Sequence, residues 1–320
     1  MKLKKFLPVL FLTGLIAVIL LLILYPERYI KSSMNGISLF VKVVLPSLFP
    51  FFFITALLTR MKTVSSFAKL LSPLTKKIFR CPGISSYVYI MSILSGYPVG
   101  CKIIAELYEN KVINSNEATK MSTFCSTSGP LFIIGSIGVG MLANKTAGLT
   151  LYLCHILSGF LCGIIFRFYG DTSTNNMPVK KPAIDNILGE AIYTSVISIL
   201  TVGGFITVFY ILADMLIDFN VLLPLQCFIS LLLVPFTKDT TLAKYISEGI
   251  IEGTRGCGLL ASLSNPLILP AISFVIAFGG LSIIIQQLTY LKKAKANLGI
   301  FMLSKFVHAI LSFIICLIII

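Results

Sequence analysis

Two apolar segments of this chain are each interrupted in the middle: SILSGYPVGCKIIAELY from Ser92 to Tyr108, and EGIIEGTRGCGLLASL from Glu248 to Leu263. Proline removes a backbone donor, and glycine lowers helix stability, so neither GYPVG nor GTRGCG is expected to stay helical. In lipid, non-helical backbone is tolerated only where it lines a cavity or is buried in protein. Paired interruptions in two halves of a chain are typical of a transporter's substrate site.

The composition indicates a polytopic membrane protein. Of the 320 residues, 57% are hydrophobic and 12% are charged, whereas a soluble domain has about 25% charged residues. The net charge of +14 is scattered among loops, as positive-inside topology requires, and this argues against nucleic-acid binding. The eight cysteines form no CxxC and no zinc-like spacing with histidine, so no metal site and no cofactor are predicted.

The spans and loops predict an all-α protein of two inverted repeats with re-entrant helical hairpins and broken transmembrane helices. A first span, Phe6 to Tyr25, follows basic residues and is interpreted as an uncleaved anchor with a cytoplasmic N-terminus. Matching motifs recur at a spacing of roughly 150 residues, which suggests the repeat. About six spans are expected. The segment 219–236 is apolar enough either to span the membrane or to lie in its interface, and the sequence leaves both placements open.

These boundaries define four parts of the chain. They are an N-terminal transmembrane anchor (1–36), a first repeat (37–170, hairpin 85–110), a cytoplasmic linker (171–186) and a second repeat (187–320, hairpin 240–263).

Two cations lie beside the interruptions, and we expect Arg255 and Lys102 to bind carboxylates of a small anionic substrate. A charge near the bilayer centre usually faces a cavity, and helix N-termini beside it add partial positive charge. The alternative is a structural pair, Lys102 with Glu106 or Arg255 with Glu252.

Small and polar residues at the four interruptions complete the predicted substrate site. They are Gly96, Tyr97, Gly100, Ser128, Gly129, Gly256, Gly279, Gly280, Ser282 and Gln286. For the serines and glycines, close helix packing explains their presence equally well.

Ion or proton coupling is assigned to Glu252, Glu106, His155 and His308. The two histidines occupy matching places in the repeats, although a lone histidine in a span more often bonds a neighbouring backbone group. Lys305 precedes His308 by one helical turn and either snorkels or meets the substrate path. No P-loop, HExxH or GxSxG motif is present, so the chain is not expected to be an enzyme.

The stretch SGYPVGCKIIAELYENKVINSNEATKMSTFCSTSGPLFIIGSIGVGML, together with GIIEGTRGC, AFGGLSIIIQ and LSKFVHAILS, resembles the YlbJ family of sporulation integral membrane proteins. That family carries the Gate, or nucleoside-recognition, domain and looks like the core of concentrative nucleoside transporters. The resemblance implies a multi-pass protein of the outer forespore membrane that moves dipicolinate, a small aromatic dicarboxylate. A nucleoside or other small-solute carrier, and a non-transporting forespore assembly protein, remain alternatives. Whether the chain forms a homo-oligomer is left open.

Overall fold

The computed structural model describes residues 2–60, 62–170 and 187–320, so the predicted linker 171–186 lies outside the described residues. The first half comprises α1 (Lys2–Leu24), α2 (Pro26–Leu39), a π-helical stretch (Phe40–Val44), α3 (Leu45–Arg60), α4 (Lys62–Phe79), α5 (Ser85–Ser95), α6 (Val99–Glu109), α7 (Ser115–Ser122), a second π-helical stretch (Leu131–Met141) and α8 (Lys145–Ile165), which ends in a 3-10 turn (Phe166–Phe168). The second half comprises α9 (Ile187–Asp218), α10 (Leu223–Leu233), α11 (Thr240–Ile251), α12 (Gly253–Ala261), α13 (Ile268–Phe278), α14 (Gly280–Lys293) and α15 (Leu298–Ile319).

Five helical segments in the described residues are long and apolar enough to cross a membrane: Pro26–Leu58, Lys145–Phe168, Ile187–Asp218, Ile268–Lys293 and Leu298–Ile319. The further span expected over Phe6–Tyr25 coincides with α1, whose segment Leu12–Leu24 is a shorter apolar helix. The segment 219–236 contains only the 11-residue α10. A helix of that length rises about 16 Å and is too short to cross a bilayer core of about 30 Å.

The helical path is interrupted at four places, each with a local cause. Between α5 and α6 lie Gly96, at φ 74°, and the Tyr97–Pro98 pair. Between α7 and the second π-helical stretch lie residues 123–130, which contain a serine-rich run and a proline. The interruption between α11 and α12 is Glu252, which has extended backbone, and that between α13 and α14 is Gly279, at φ 91°.

One sequence expectation needs correction here. The run Gly253–Gly258 was expected to be non-helical, yet it lies within α12, and the helix is broken one residue earlier at Glu252. The Glu252 side chain accepts a hydrogen bond from the backbone N–H of Arg255 and so caps α12. Such a cap satisfies one of the free N–H groups at a helix start, which offsets the poor helix propensity of the glycines.

The helices pack in two groups around the interruptions. In one, α9 lies against α2 and α3. In the other, α13 lies along α15, and α15 lies along α8. Two buried clusters of apolar side chains fill the second group, one around Phe79 and Phe124 and one around Leu151 and Ile272. The interruptions lie where the two groups meet.

Candidate substrate site

Three of the four interruptions, together with the start of α14 directly after the fourth, contribute residues to one cavity, which we call the central cavity. Its volume is about 510 Å³, counting the part open to the outside. The lining residues are Leu48, Phe52, Ser95, Gly96, Tyr97, Ser128, Gly129, Phe132, Val202, Ile206, Glu252, Thr254, Ser282, Ile283 and Gln286. Its apolar wall comes largely from α3 and α9, whereas its polar groups come from the interrupted helices.

The first and third interruptions touch each other through glycine backbone. A Cβ on Gly96 would lie 2.5 Å from the backbone nitrogen of Gly129, which is closer than real Cβ contacts. Nearby, Ser92 Oγ donates to the carbonyl oxygen of Cys125 at 2.6 Å and lies 2.8 Å from Thr127 Oγ1. Because the two interrupted segments approach this closely, their polar backbone groups are concentrated at one edge of the central cavity.

The second and fourth interruptions meet in the same way. A Cβ on Gly280 would lie 2.6 Å from the backbone nitrogen of Gly253. Glu252 receives the N–H of Arg255 on Oε2 at 2.6 Å, and its Oε1 lies 3.4 Å from Ser282 Oγ. Glu252 and Ser282 therefore present a carboxyl group and a hydroxyl group to the cavity from two different helices.

Arg255 does not line the central cavity, because its guanidinium is bound by acidic side chains on the outer side of α12. Nη2 lies 2.8 Å from Asp214 Oδ1 and 2.9 Å from Glu248 Oε2, and Nε donates to the same Glu248 oxygen. The guanidinium carbon lies 4.2 Å from the ring centre of Tyr210. The sequence had suggested Glu252 as a partner, whereas the carboxylates come from α9 and α11.

Lys102 and Glu106 also lie away from the cavity. Both are on α6, one helical turn apart; Lys102 is half-buried and Glu106 is exposed. Gly100 and Gly256 do not line the cavity; they lie where two segments of the chain pack closely against each other. A Cβ on Gly100 would lie 1.9 Å from the carbonyl oxygen of Cys125, and one on Gly256 would lie 2.2 Å from Gly249 Cα.

Of the remaining predicted residues, Tyr97, Ser128, Gly129, Ser282 and Gln286 line the cavity with Gly96. Gly279 and Gly280 form the fourth interruption just behind this lining. The apolar wall of the cavity, which includes Val202 and Ile206, was not predicted from the sequence. These two residues lie one turn apart on α9, and that helical spacing was the available signal.

Lys305 is a buried cation directly behind Tyr97. It is 1% exposed, and its Nζ donates to Tyr97 Oη at 2.9 Å and to the carbonyl oxygen and Oγ of Ser126, each at 3.3 Å. Three neutral acceptors therefore satisfy the three ammonium protons. Across the described ranges, no carboxylate lies within ion-pair distance of this ammonium group.

The two histidines lie together beside the third interruption, with ring centres 4.7 Å apart. His155 Nε2 accepts the backbone N–H of Ser128 at 2.8 Å, and His308 Nε2 lies 3.1 Å from the carbonyl oxygen of His155. An accepting Nε2 places the proton of neutral His155 on Nδ1, which has no partner. Each histidine thus bonds backbone, as the simpler alternative anticipated.

Comparison with known proteins gives the family. A family model described as nucleoside recognition, the Gate domain, matches residues 41–172. The sporulation integral membrane protein YlbJ of Bacillus subtilis (strain 168) is 30% identical over 310 residues, covering 89% of this chain and 76% of that protein. This chain belongs to the YlbJ family of sporulation integral membrane proteins. No solved structure matches it significantly.

The YlbJ-family assignment agrees with the composition and the long apolar helices, and the chain is an integral membrane protein. The Gate match covers the first and third interruptions, with Gly96, Tyr97, Ser128 and Gly129. The second interruption and α14 lie beyond it, yet they complete the same cavity. In the described residues, no cluster of histidine, cysteine, aspartate and glutamate side chains is arranged to hold a metal ion.

Proposed function

We propose that this chain is a sporulation transporter that carries dipicolinate, a small aromatic dicarboxylate, across the outer forespore membrane through the central cavity. The observation that carries the proposal is the convergence of three helix interruptions, and of the start of α14 after the fourth, on one cavity. Interrupted helices inside a membrane are stable only around a cavity or within protein, and transporters place substrate at such points. A non-transporting assembly protein has no need for this arrangement.

The proposed architecture is a pair of inverted repeats whose hairpins, α5–α6 and α11–α12, enter the membrane from opposite sides. The contacts of the loops support it. Lys120 Nζ donates to the carbonyl oxygen of Arg80, just before the first hairpin, and the backbone N–H of Asn297 donates to Thr119 Oγ1. At the base of the second hairpin, Asn265 Nδ2 donates to Asp239 Oδ2. In this arrangement the loops rich in lysine and arginine face the cytoplasm, and so does the N-terminus.

The cavity lining suits a flat ring with polar substituents. Phe52, Phe132 and Ile206 offer apolar surface, and Ser128, Thr254 and Ser282 offer hydroxyl donors. A pocket of this kind, mostly apolar with a few placed polar groups, is typical of small-molecule sites. Hydroxyl and backbone N–H groups at the interruptions can donate to carboxylate oxygens.

Lys305 is the cation that we assign to substrate attraction, because the charge of Arg255 is already balanced. The ammonium group has only neutral partners, and one of them, Tyr97, forms part of the cavity wall. A positive charge in a low-dielectric interior acts over several ångströms, so it attracts an anion through this wall. Arg255, in contrast, lies between two carboxylates.

A neutral nucleoside is the second candidate, and the lining itself favours it. Glu252 and Gln286 both face the cavity, and a carboxyl group and an amide can bind the hydroxyls of a sugar. The two candidates differ in charge, so flux measurements separate them.

The test is uptake of labelled dipicolinate and uridine into proteoliposomes containing the full chain. We expect dipicolinate uptake, and we expect Lys305→Gln to reduce it at least tenfold, because a buried unit charge several ångströms from an anion contributes on the order of 2 kcal/mol. Lys102→Gln is the matched control and should change uptake less than about twofold, because Lys102 does not line the cavity.

Uridine uptake that is unaffected by Lys305→Gln supports the second candidate. Flux of neither solute, with protein correctly inserted, contradicts the transport proposal and leaves an assembly role.

A further inference from the structure

Glu252 is a fully buried carboxyl group that lines the central cavity and has no basic partner. It is 0% exposed, and its hydrogen-bond partners are all uncharged donor groups: the backbone N–H of Arg255, the backbone N–H and side chain of Thr254, and Ser282 Oγ. The guanidinium of Arg255 is directed at Asp214 and Glu248 instead. In the part of the chain that the structure describes, Glu252 forms no ion pair.

Such a carboxylate is costly in its charged form, since its negative charge is removed from water without a compensating cation. Binding of a proton removes that cost. A ligand carboxylate entering the same cavity brings more negative charge close to Glu252. Ligand and proton therefore favour each other's binding, and by linkage the effect is reciprocal.

We infer that Glu252 is a proton-binding site that couples proton and anion movement, a step that rests on the proposed transport of dipicolinate. In the step itself, the Glu252 carboxylate takes one proton from water and becomes a neutral carboxyl group as the dianion binds. On the other side of the membrane the ligand leaves and the proton returns to water. One proton therefore moves with each anion, and no bond of the ligand is broken.

A proton fits this site better than a metal cation. One Glu252 oxygen accepts the backbone N–H of Arg255 at 2.6 Å, the other lies 3.4 Å from Ser282 Oγ, and Thr254 also donates to the carboxyl group, so protein donors already occupy it. Metal cations with oxygen ligands typically need about six of them. The residues that the structure describes place no further carboxylate against Glu252 in the cavity lining.

Other titratable or charged groups surround Glu252, and the experiment has to separate their effects. They are Tyr210 and Asp214 on α9, Glu248 on α11, Arg255 and Cys257 on α12, Tyr97 at the first interruption, and Lys305 behind it. From α14, the neighbours Ser282 and Gln286 do not titrate in the physiological range. Asp214, Glu248 and Arg255 already share charge within one ion cluster.

The test is a proton count during dipicolinate binding to the purified full chain in detergent. Calorimetry in two buffers of different ionisation enthalpy, over roughly pH 6 to pH 8, gives protons bound per ligand; the ligand's carboxylates stay ionised in this range. We expect the protein to take up close to one proton for each dipicolinate bound. The affinity for dipicolinate should therefore fall by up to about tenfold for each unit by which the pH rises. Glu252→Gln, which mimics the protonated group, should bind without proton uptake and without this pH dependence. Glu106→Gln, which removes an exposed carboxyl group, should behave as the wild type.

Binding without proton uptake in the wild type overturns the inference and leaves the transport proposal intact. Proton uptake that persists in Glu252→Gln, or binding that requires sodium at constant pH, also overturns it. If Glu252→Gln does not fold, Glu252→Asp decides, because a shorter carboxyl group should shift the pH midpoint of binding and an unchanged midpoint contradicts the inference. Absence of dipicolinate binding at every pH overturns both proposals.

Discussion

Arg255 shows how a buried charge can serve structure in a protein that is expected to bind anions. One guanidinium is shared by two carboxylates, Asp214 and Glu248, with the ring of Tyr210 against its face. These residues belong to α9, α11 and α12, so the ion cluster joins the outer helix α9 to the interrupted pair. Asp214 also accepts a hydrogen bond from Ser32 on α2 at 2.5 Å.

Arg255→Met should destabilise the protein strongly. Removal of the guanidinium leaves two buried carboxylates without their ion-pair partner, which costs about 3–5 kcal/mol. Thermal unfolding in detergent measures the effect, with Lys102→Met as a control that should alter stability little. Adding Asp214→Asn and Glu248→Gln to Arg255→Met should recover most of the loss. A single variant as stable as the wild type contradicts this role.

At the scale of single residues, the sequence indicated which polar groups matter but not how they pair. Tyr97, Ser128, Ser282 and Gln286 were chosen because they flank interruptions, and they line the cavity. The partners of Arg255 could not be foreseen, because Asp214 comes from a helix 41 residues earlier in the chain, and only tertiary packing brings the two together.

At the scale of helices, glycine determines how closely the interrupted segments approach. Gly96 combines a positive φ of 74° with contact against the backbone of Gly129. A side chain at this position meets both backbone strain and a clash with main-chain atoms. Gly204 on α9 is the opposite case, because a Cβ there would meet nothing within 4 Å.

Gly96→Ala should destabilise the protein by about 2–4 kcal/mol, from left-handed backbone strain and overpacking together. Transport should fall with it, because the first and third interruptions are displaced from each other. Gly204→Ala is the matched control and should be neutral or slightly stabilising, since alanine favours helix over glycine. Melting temperature and uptake test both variants, and equal behaviour of the two would contradict the contact at Gly96.

The positions of the helix breaks were only partly predictable from sequence. GYPVG was correctly expected to interrupt its helix, because proline and a left-handed glycine leave little alternative. GTRGCG is helical despite its glycines. The signal that was overlooked is the capping glutamate three residues before the N–H of Arg255, a spacing typical of helix starts.

At the scale of the whole molecule, the distribution of cysteines offers a direct test of topology. Seven of the eight cysteines are buried, and Cys227 on α10 is exposed. At the loop before α5, burial raises the pKa of the Cys81 thiol to about 12, so little reactive thiolate forms there near neutral pH. A Cys227→Ser variant therefore provides a background of low reactivity into which single cysteines can be introduced.

In that background, Lys238→Cys and Lys293→Cys should be labelled by a membrane-impermeant maleimide from opposite sides of the membrane. Both lysines are exposed, one in the loop between α10 and α11 and the other at the end of α14. If the repeats are inverted, the second hairpin enters from the side opposite the cytoplasm, so Lys238 faces outward and Lys293 faces the cytoplasm. Labelling of both from the same side would contradict the inverted arrangement. The reverse assignment, with Lys238 facing the cytoplasm and Lys293 facing outward, would mean that 219–236 crosses the membrane, because a crossing before Lys238 exchanges the sides of both sites.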